Sequence, residues 1–104
     1  MKMIASDSPY VLIIGAEQHL GKTYALDLAK QQHNLLLIGR PQQGLMDWAH
    51  QLMTYGVEVE FFEADLSHQQ NLELLADWIH SSYFVSHVFN LVKVEWMEEV
   101  FGIR

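Results

Sequence analysis

The chain contains no cysteine. That absence excludes a disulfide framework, a thiolate zinc site and a cysteine nucleophile. Positive charge is also scarce: 6 Lys and Arg stand against 13 Asp and Glu, a net charge of −7. A generic binder of nucleic acid or anionic membrane needs a basic face, which this composition does not favour. Long apolar runs are missing. The longest, Tyr10 to Ile14, falls far short of the ~20 residues of a membrane span. The opening Met1-Lys2-Met3-Ile4-Ala5-Ser6-Asp7 lacks the apolar core of a signal peptide. A soluble cytoplasmic protein is expected. What is present is ordinary globular composition, 50% apolar and 18% charged, too rich in Leu, Val, Ile and Phe for a disordered chain. Its 104 residues suit one small domain, or part of a larger one, since domains commonly run ~100–150 residues.

Strand-like and helix-like segments alternate. Tyr10 to Ile14 is a continuous apolar run ending in Gly15, which suits a parallel strand covered on both faces. Leu20 to Gln32 reads as a helix packing through Gly21, Ala25 and Leu28. Asn34 to Gly39 is a second buried strand, followed by a turn carrying Pro41 and Gly44. Leu45, Trp48, Ala49, Leu52 and Met53 fall on one face of an amphipathic helix. Gly56 stands at its expected stop. Val57 to Phe62 reads as a third, less fully covered strand. Ser67 and Gln70 match a capping box, opening a helix with Leu72, Leu75, Ala76 and Ile79 on one face. Val85 to Val92 is a fourth strand. The order β-α-β-α-β-α-β implies an α/β, doubly wound parallel sheet of about four strands. Residues 1–9 are expected to be a loose lead-in and 94–104 a helical tail, all within one domain over 1–104.

Ile14-Gly15-Ala16-Glu17-Gln18-His19-Leu20-Gly21 follows a strand and opens a helix. A phosphate-binding turn needs that context: glycines permit a tight turn, and N–H groups at the helix start attract an anion. The plainer reading is a strand-to-helix turn without a ligand.

From Tyr10 to Val92, about four-fifths of the chain, the sequence resembles the N-terminal half of a short-chain dehydrogenase/reductase. That family is marked by T-G-x-x-x-G-x-G after its first strand. Its first helix runs much like Leu20 to Ala29. Its second strand ends like Leu37-Ile38-Gly39-Arg40, its third in an Asp-Leu pair matched by Asp65-Leu66, and its fourth in N-N-A-G, of which Asn90 remains. The resemblance implies a Rossmann-like fold and a nicotinamide dinucleotide. Gly15, Ala16, Glu17, Gln18 and Leu20 would hold the pyrophosphate, with Gly21 packing helix on strand. Asp65 would bond the adenine amino group, Leu66 would pack on the ring, and Asn90 would line the cofactor near its ribose. An acid at the end of the second strand would bind the 2′-hydroxyl of NAD. Residues 38 to 41 include none, whereas Arg40 suits a 2′-phosphate, which favours NADP(H).

Departures from the pattern bear on that expectation. Ile14 replaces the Thr, and His19 replaces the middle glycine, where a side chain crowds the ligand, is merely exposed, or holds it as imidazolium. Asn90-Leu91-Val92-Lys93 has lost the motif's Ala and Gly. The family's catalytic Tyr-x-x-x-Lys is missing, because Ile14, Leu28, Val59 and His87 occupy the places four residues after Tyr10, Tyr24, Tyr55 and Tyr83. The six His residues lack the H-E-x-x-H spacing of a metal helix, so no metal site and no catalytic residues are expected.

The expected function is therefore a truncated NADP(H)-binding module, binding weakly or having lost binding, without oxidoreductase activity of its own. One alternative is a non-catalytic interaction or scaffold fragment. Another is a P-loop-like nucleotide triphosphatase, since Gly15 to Thr23 nearly spells G-x-x-x-x-G-K-[ST] but places five residues between its glycines where the motif needs four. An uncovered fourth-strand edge, with Val85, Val88, Phe89, Leu91 and Val92, suggests a homodimer or strand-exchanged oligomer.

Overall fold

The computed structural model describes residues 9–92. The expected tail, Lys93 and all of the lead-in except Pro9 lie outside the described residues.

Seven elements follow in the expected order: β1 (Tyr10–Ile14), α1 (His19–Lys30), β2 (Asn34–Gly39), α2 (Leu45–Met53), β3 (Val59–Glu63), α3 (Gln69–Ser82) and β4 (Val85–Asn90). The strands form one sheet in the order β3-β2-β1-β4. Every pairing is parallel, so all four carboxyl ends share one edge.

Alternation along the two central strands builds the layers. Val11, Ile13, Leu35 and Leu37 face Ala25 and Ala29 of α1 and Leu45, Ala49 and Leu52 of α2. Leu12, Ile14, Leu36 and Ile38 pack with Leu72, Leu75 and Ile79 of α3. Both faces are covered, which is why these strands read as unbroken apolar runs. The result is a three-layer, Rossmann-like α/β sheet.

Helix α1 buries Gly21, Ala25 and Ala29, a stripe of small residues that lets its axis lie close to the sheet. Leu28, expected on that face, is only half-buried, because the stripe advances in steps of four. Met53 is exposed rather than packed; it stands one position past the buried stripe Leu45, Ala49, Leu52. The third strand begins two residues later than expected and the fourth ends two earlier.

The capping box at Ser67 does not form. Helix α3 starts after His68 with no side-chain cap. The Ser67 hydroxyl and N–H both donate to Asp65 Oδ1, at 2.7 and 3.0 Å. A short acidic side chain two residues upstream competes successfully for the serine.

At the amino ends of the strands, the Tyr10 hydroxyl donates to Glu58. Burial first, and then the hydrogen bond to Glu58, push the Tyr10 hydroxyl well above the usual tyrosine range. Tyr83 is raised in the same direction, by burial and then by the charges of Glu60 and Glu58. Its ring meets Tyr10 edge-on at 4.9 Å and Trp78 at 5.2 Å, while Trp78 stacks obliquely on Phe62. These aromatics extend the α3-side core beyond its aliphatic centre.

Candidate nucleotide-binding site

After β1 the chain moves to β2 and β3 on one side of the sheet, then crosses back to β4 on the other. The crevice outside the carboxyl ends of β1 and β4 is thus the topological switch point, where open α/β sheets place their ligands. The turn from Gly15 to Gln18, Arg40, Asp65 and Asn90 all lie along this edge, each following or ending a strand.

The turn is tied down from below. The Gly15 and Ala16 N–H groups both donate to the Ile38 carbonyl at 2.9 Å, and Gln18 N–H donates to Gly15 O. Gly15 has φ +90°, a conformation that side chains disfavour. A Cβ at Gly21 would lie 2.5 Å from the Gly15 carbonyl oxygen and 2.8 Å from Ala16 Cα. Only hydrogen fits, so α1 begins in backbone contact with the turn. No side chain caps α1 and its first turn holds no acid. The first N–H groups of a helix lack intrahelical partners, and here they face the crevice with their partial positive charge uncompensated.

His19, which replaces the middle glycine, is the first residue of α1 and is exposed. Leu20 is also exposed. Opposite them, β4 runs out over the turn. Leu91 N–H donates to Ile14 O at 2.9 Å, and a Cβ on Gly15 would meet Leu91 and Val92, both at 3.1 Å. Leu91 and Val92 stand where the family pattern has Asn and Ala after Asn90, and both lie against the turn at Gly15. Asn90 itself accepts a hydrogen bond from Val92 N–H at 3.0 Å.

The residues expected on an adenine are Asp65 and Leu66. Asp65 is exposed, and the Ser67 hydroxyl and then the Ser67 N–H hold its carboxyl below the usual aspartate range. His68 Nε2 lies 3.6 Å from its second oxygen. Leu66 is packed into the α3-side core, so little of its surface is available to a base.

One contact joins two residues that sequence reading had treated separately. Arg40 Nε donates to Glu17 Oε2 at 2.9 Å; the Glu17 side chain is 3% exposed and that of Arg40 66%. Glu17 lies across Gly39, where an added Cβ would be 2.8 Å from Oε1. Oε1 is buried and has no hydrogen-bond partner among the described residues. Buried polar atoms are almost always satisfied, so this oxygen marks a place for a donor. The signal in the sequence was opposite charge just past the ends of two neighbouring strands.

The residues present fit a dinucleotide: an uncapped helix start at the switch point, a cradle that a Cβ would fill, and an orphaned acceptor beside an exposed guanidinium. They do not make a triphosphatase loop. Lys22, which would be the phosphate-loop lysine, sits over the Trp48 ring at 5.9 Å from its centroid. Among the described residues, no group of His, Asp and Glu could hold a metal ion, and no helix is long and apolar enough to cross a membrane.

Residues 9–93 match the short chain dehydrogenase family, and the chain belongs to it. No curated protein sequence is similar enough to match. Solved structures agree with the family. A short-chain dehydrogenase from Sphingobium yanoikuyae in complex with NADPH is 32% identical, with TM-score 0.70; the alignment covers 77% of this chain and 32% of that one. The bulky-bulky ketone specific alcohol dehydrogenase from Comamonas testosteroni is 27% identical with TM-score 0.70, over 77% and 32%. An alcohol dehydrogenase from the archaeon Thermococcus sibiricus, complexed with 5-hydroxy-NADP, is 29% identical with TM-score 0.69, over 77% and 35%. The chain thus spans about a third of the length of these relatives.

Proposed function

We propose that this chain binds the adenosine and pyrophosphate side of NADP(H), as the coenzyme-binding half of a short-chain dehydrogenase, and does not transfer hydride by itself. The observation that carries this is the uncapped start of α1 behind the Gly15–Gly21 contact, at the switch point of a parallel sheet. Backbone N–H groups and helix dipole attract the pyrophosphate there without any charged side chain. Arg40 is exposed and, among the described residues, is bonded through Nε alone, which leaves its terminal nitrogens to a 2′-phosphate. Two of the relatives hold NADPH and 5-hydroxy-NADP. When bound, the dinucleotide supplies or accepts the hydride. Proton delivery needs a tyrosine with a nearby lysine, and no tyrosine of this chain has lysine four residues on.

Thermal melting with added NADPH, NADH or ATP-Mg tests the reading. NADPH should raise the melting temperature, because a ligand that binds only the native state stabilises it. A response to ATP-Mg and to neither dinucleotide would sink the reading. Silence with all three would favour a scaffold role. Arg40→Ala should weaken NADPH by on the order of tenfold, as expected for one lost charge-assisted bond, and NADH much less. Equal losses would remove the 2′-phosphate assignment.

A second copy of the chain is the partner proposed for β4. Among the described residues this strand pairs on one side only, and Phe84 beside it is 62% exposed. A half-covered apolar edge is a template for strand pairing. Sedimentation should show a dimer or larger species, shifted toward monomer by Phe84→Lys; a monomeric wild-type protein would refute the association.

A further inference from the structure

We infer that Glu60 and Glu63 keep the β3 edge of the sheet from pairing with a second copy, so that assembly of this chain is one-sided and closes. This rests on the association proposed for β4 and adds why the opposite edge takes no part in it.

Among the described residues, β3 pairs only with β2. Leu35 N–H donates to the Glu58 carbonyl, and Ala64 N–H donates to that of Gly39. In a parallel ladder successive residues turn their backbone groups to opposite sides. Glu58, Glu60, Phe62 and Ala64 therefore address β2, and Val59, Phe61 and Glu63 turn theirs away from it. The strand reads Val-Glu-Phe-Phe-Glu. Without its glutamates it would be a short, apolar, β-prone edge, the kind that recruits another strand.

The two carboxylates have no cation to meet. The ion pairs among the described residues are Arg40 with Glu17 and His68 with Asp65. A second copy brings none either. Two copies of β3 related by a twofold axis run antiparallel, with the axis normal to the sheet, so each residue meets one whose side chain lies on the same face. Glu60 would then face Glu60, Phe62 or Ala64 of the copy, and Glu63 would face Val59, Phe61 or Glu63. In each register a carboxylate lies against an apolar side chain or another carboxylate, and like charges directly opposite are destabilising.

The head-to-tail alternative sets β4 of one copy beside β3 of the next. It has no closing symmetry and would propagate as a filament. Strand β4 reads Val-Ser-His-Val-Phe-Asn. It offers the β3 carboxylates no ionic partner at about pH 8, where an imidazole is uncharged. A pair of β4 strands meets without any carboxylate between them. The two edges are thus sorted by charge: one is open to self-pairing, and the other stays single.

Sedimentation over a range of concentrations at about pH 8, where histidine charge does not intervene, tests this on three proteins: wild type, Glu60→Gln/Glu63→Gln, and Glu73→Gln/Asp77→Asn as control. Circular dichroism confirms folding. The control removes as much charge, from exposed positions on α3. Wild type and control should stop at the dimer. The β3 variant should grow past it with concentration, associating on the order of tenfold or more tightly. With Phe84→Lys added to block β4, its growth should stop at a dimer paired through β3. A folded β3 variant no larger than wild type overturns the inference, as does a wild type that itself grows past the dimer. Equal growth in the control also overturns it, because net charge would then be the cause. A monomeric wild type refutes the β4 pairing alone; the guard on β3 then stands if the β3 variant dimerises and falls if that variant stays monomeric.

Discussion

Gly21→Ala is expected to destabilise the protein by about 1–3 kcal/mol, the usual range for forcing atoms into a packed site, and to abolish the dinucleotide binding proposed above. Two effects oppose each other here. Alanine is the better helix former by about 0.8–1 kcal/mol, so propensity alone predicts a more stable protein. The new Cβ, however, would lie 2.5 Å from the Gly15 carbonyl oxygen and 2.8 Å from Ala16 Cα. Both are backbone atoms, and the turn that carries them is tied to Ile38 by two hydrogen bonds. Neither can rotate away, so contact outweighs propensity. In a domain of this size the loss should lower the melting temperature by about 4–8 °C per kcal/mol. The displaced turn should then no longer aim its N–H groups at a pyrophosphate. Thermal denaturation and an NADPH titration check both halves, and a variant more stable than wild type would refute the close packing of α1 on the turn.

The second large effect is at the centre of the sheet. Leu36 is completely buried, sits between Leu12 and Glu60 in register, and packs in the α3-side core. Leu36→Ala should cost about 2–5 kcal/mol, combining lost transfer energy with a cavity that neighbouring strands cannot close. A domain of ~100 residues holds only about 5–15 kcal/mol in total, so this is a large fraction and one substitution brings unfolding within reach at moderate temperature. Leu74→Ala is the matching control. That leucine is 62% exposed on α3, and its loss should stay within about 0.5 kcal/mol. Equal effects in a denaturant titration would contradict the layer assignment.

Much of the fold was legible before any coordinates. Leu35 to Ile38 is apolar at every position, and only a strand covered on both faces tolerates that. The faces of α2 and α3 followed from spacing, as Leu45, Ala49 and Leu52, or Leu72, Leu75, Ala76 and Ile79, come round to one side every turn. Where the reading missed, a competitor acted on the same residue. Ser67 had the right spacing for a cap, but Asp65 took its hydroxyl. Met53 had the right period, but the buried stripe had already ended at Leu52.

The site divides in the same way. The places of Gly15, Gly21 and Arg40, after a strand, in a helix and just past a strand end, were legible. Leu66 packs in the α3-side core, a placement that hydrophobicity alone does not give, because it does not say which way a side chain turns. The sequence by itself determined the alternation of strand and helix, the position of the glycine turn and the kinship with short-chain dehydrogenases, since these depend on residues close together in the chain. Only the tertiary structure decided that Glu17 meets Arg40, that its second oxygen is buried without a partner, and that Leu91 and Val92 lean over Gly15. Those residues are far apart along the chain, and they meet because parallel strands bring their carboxyl ends to one edge of the sheet.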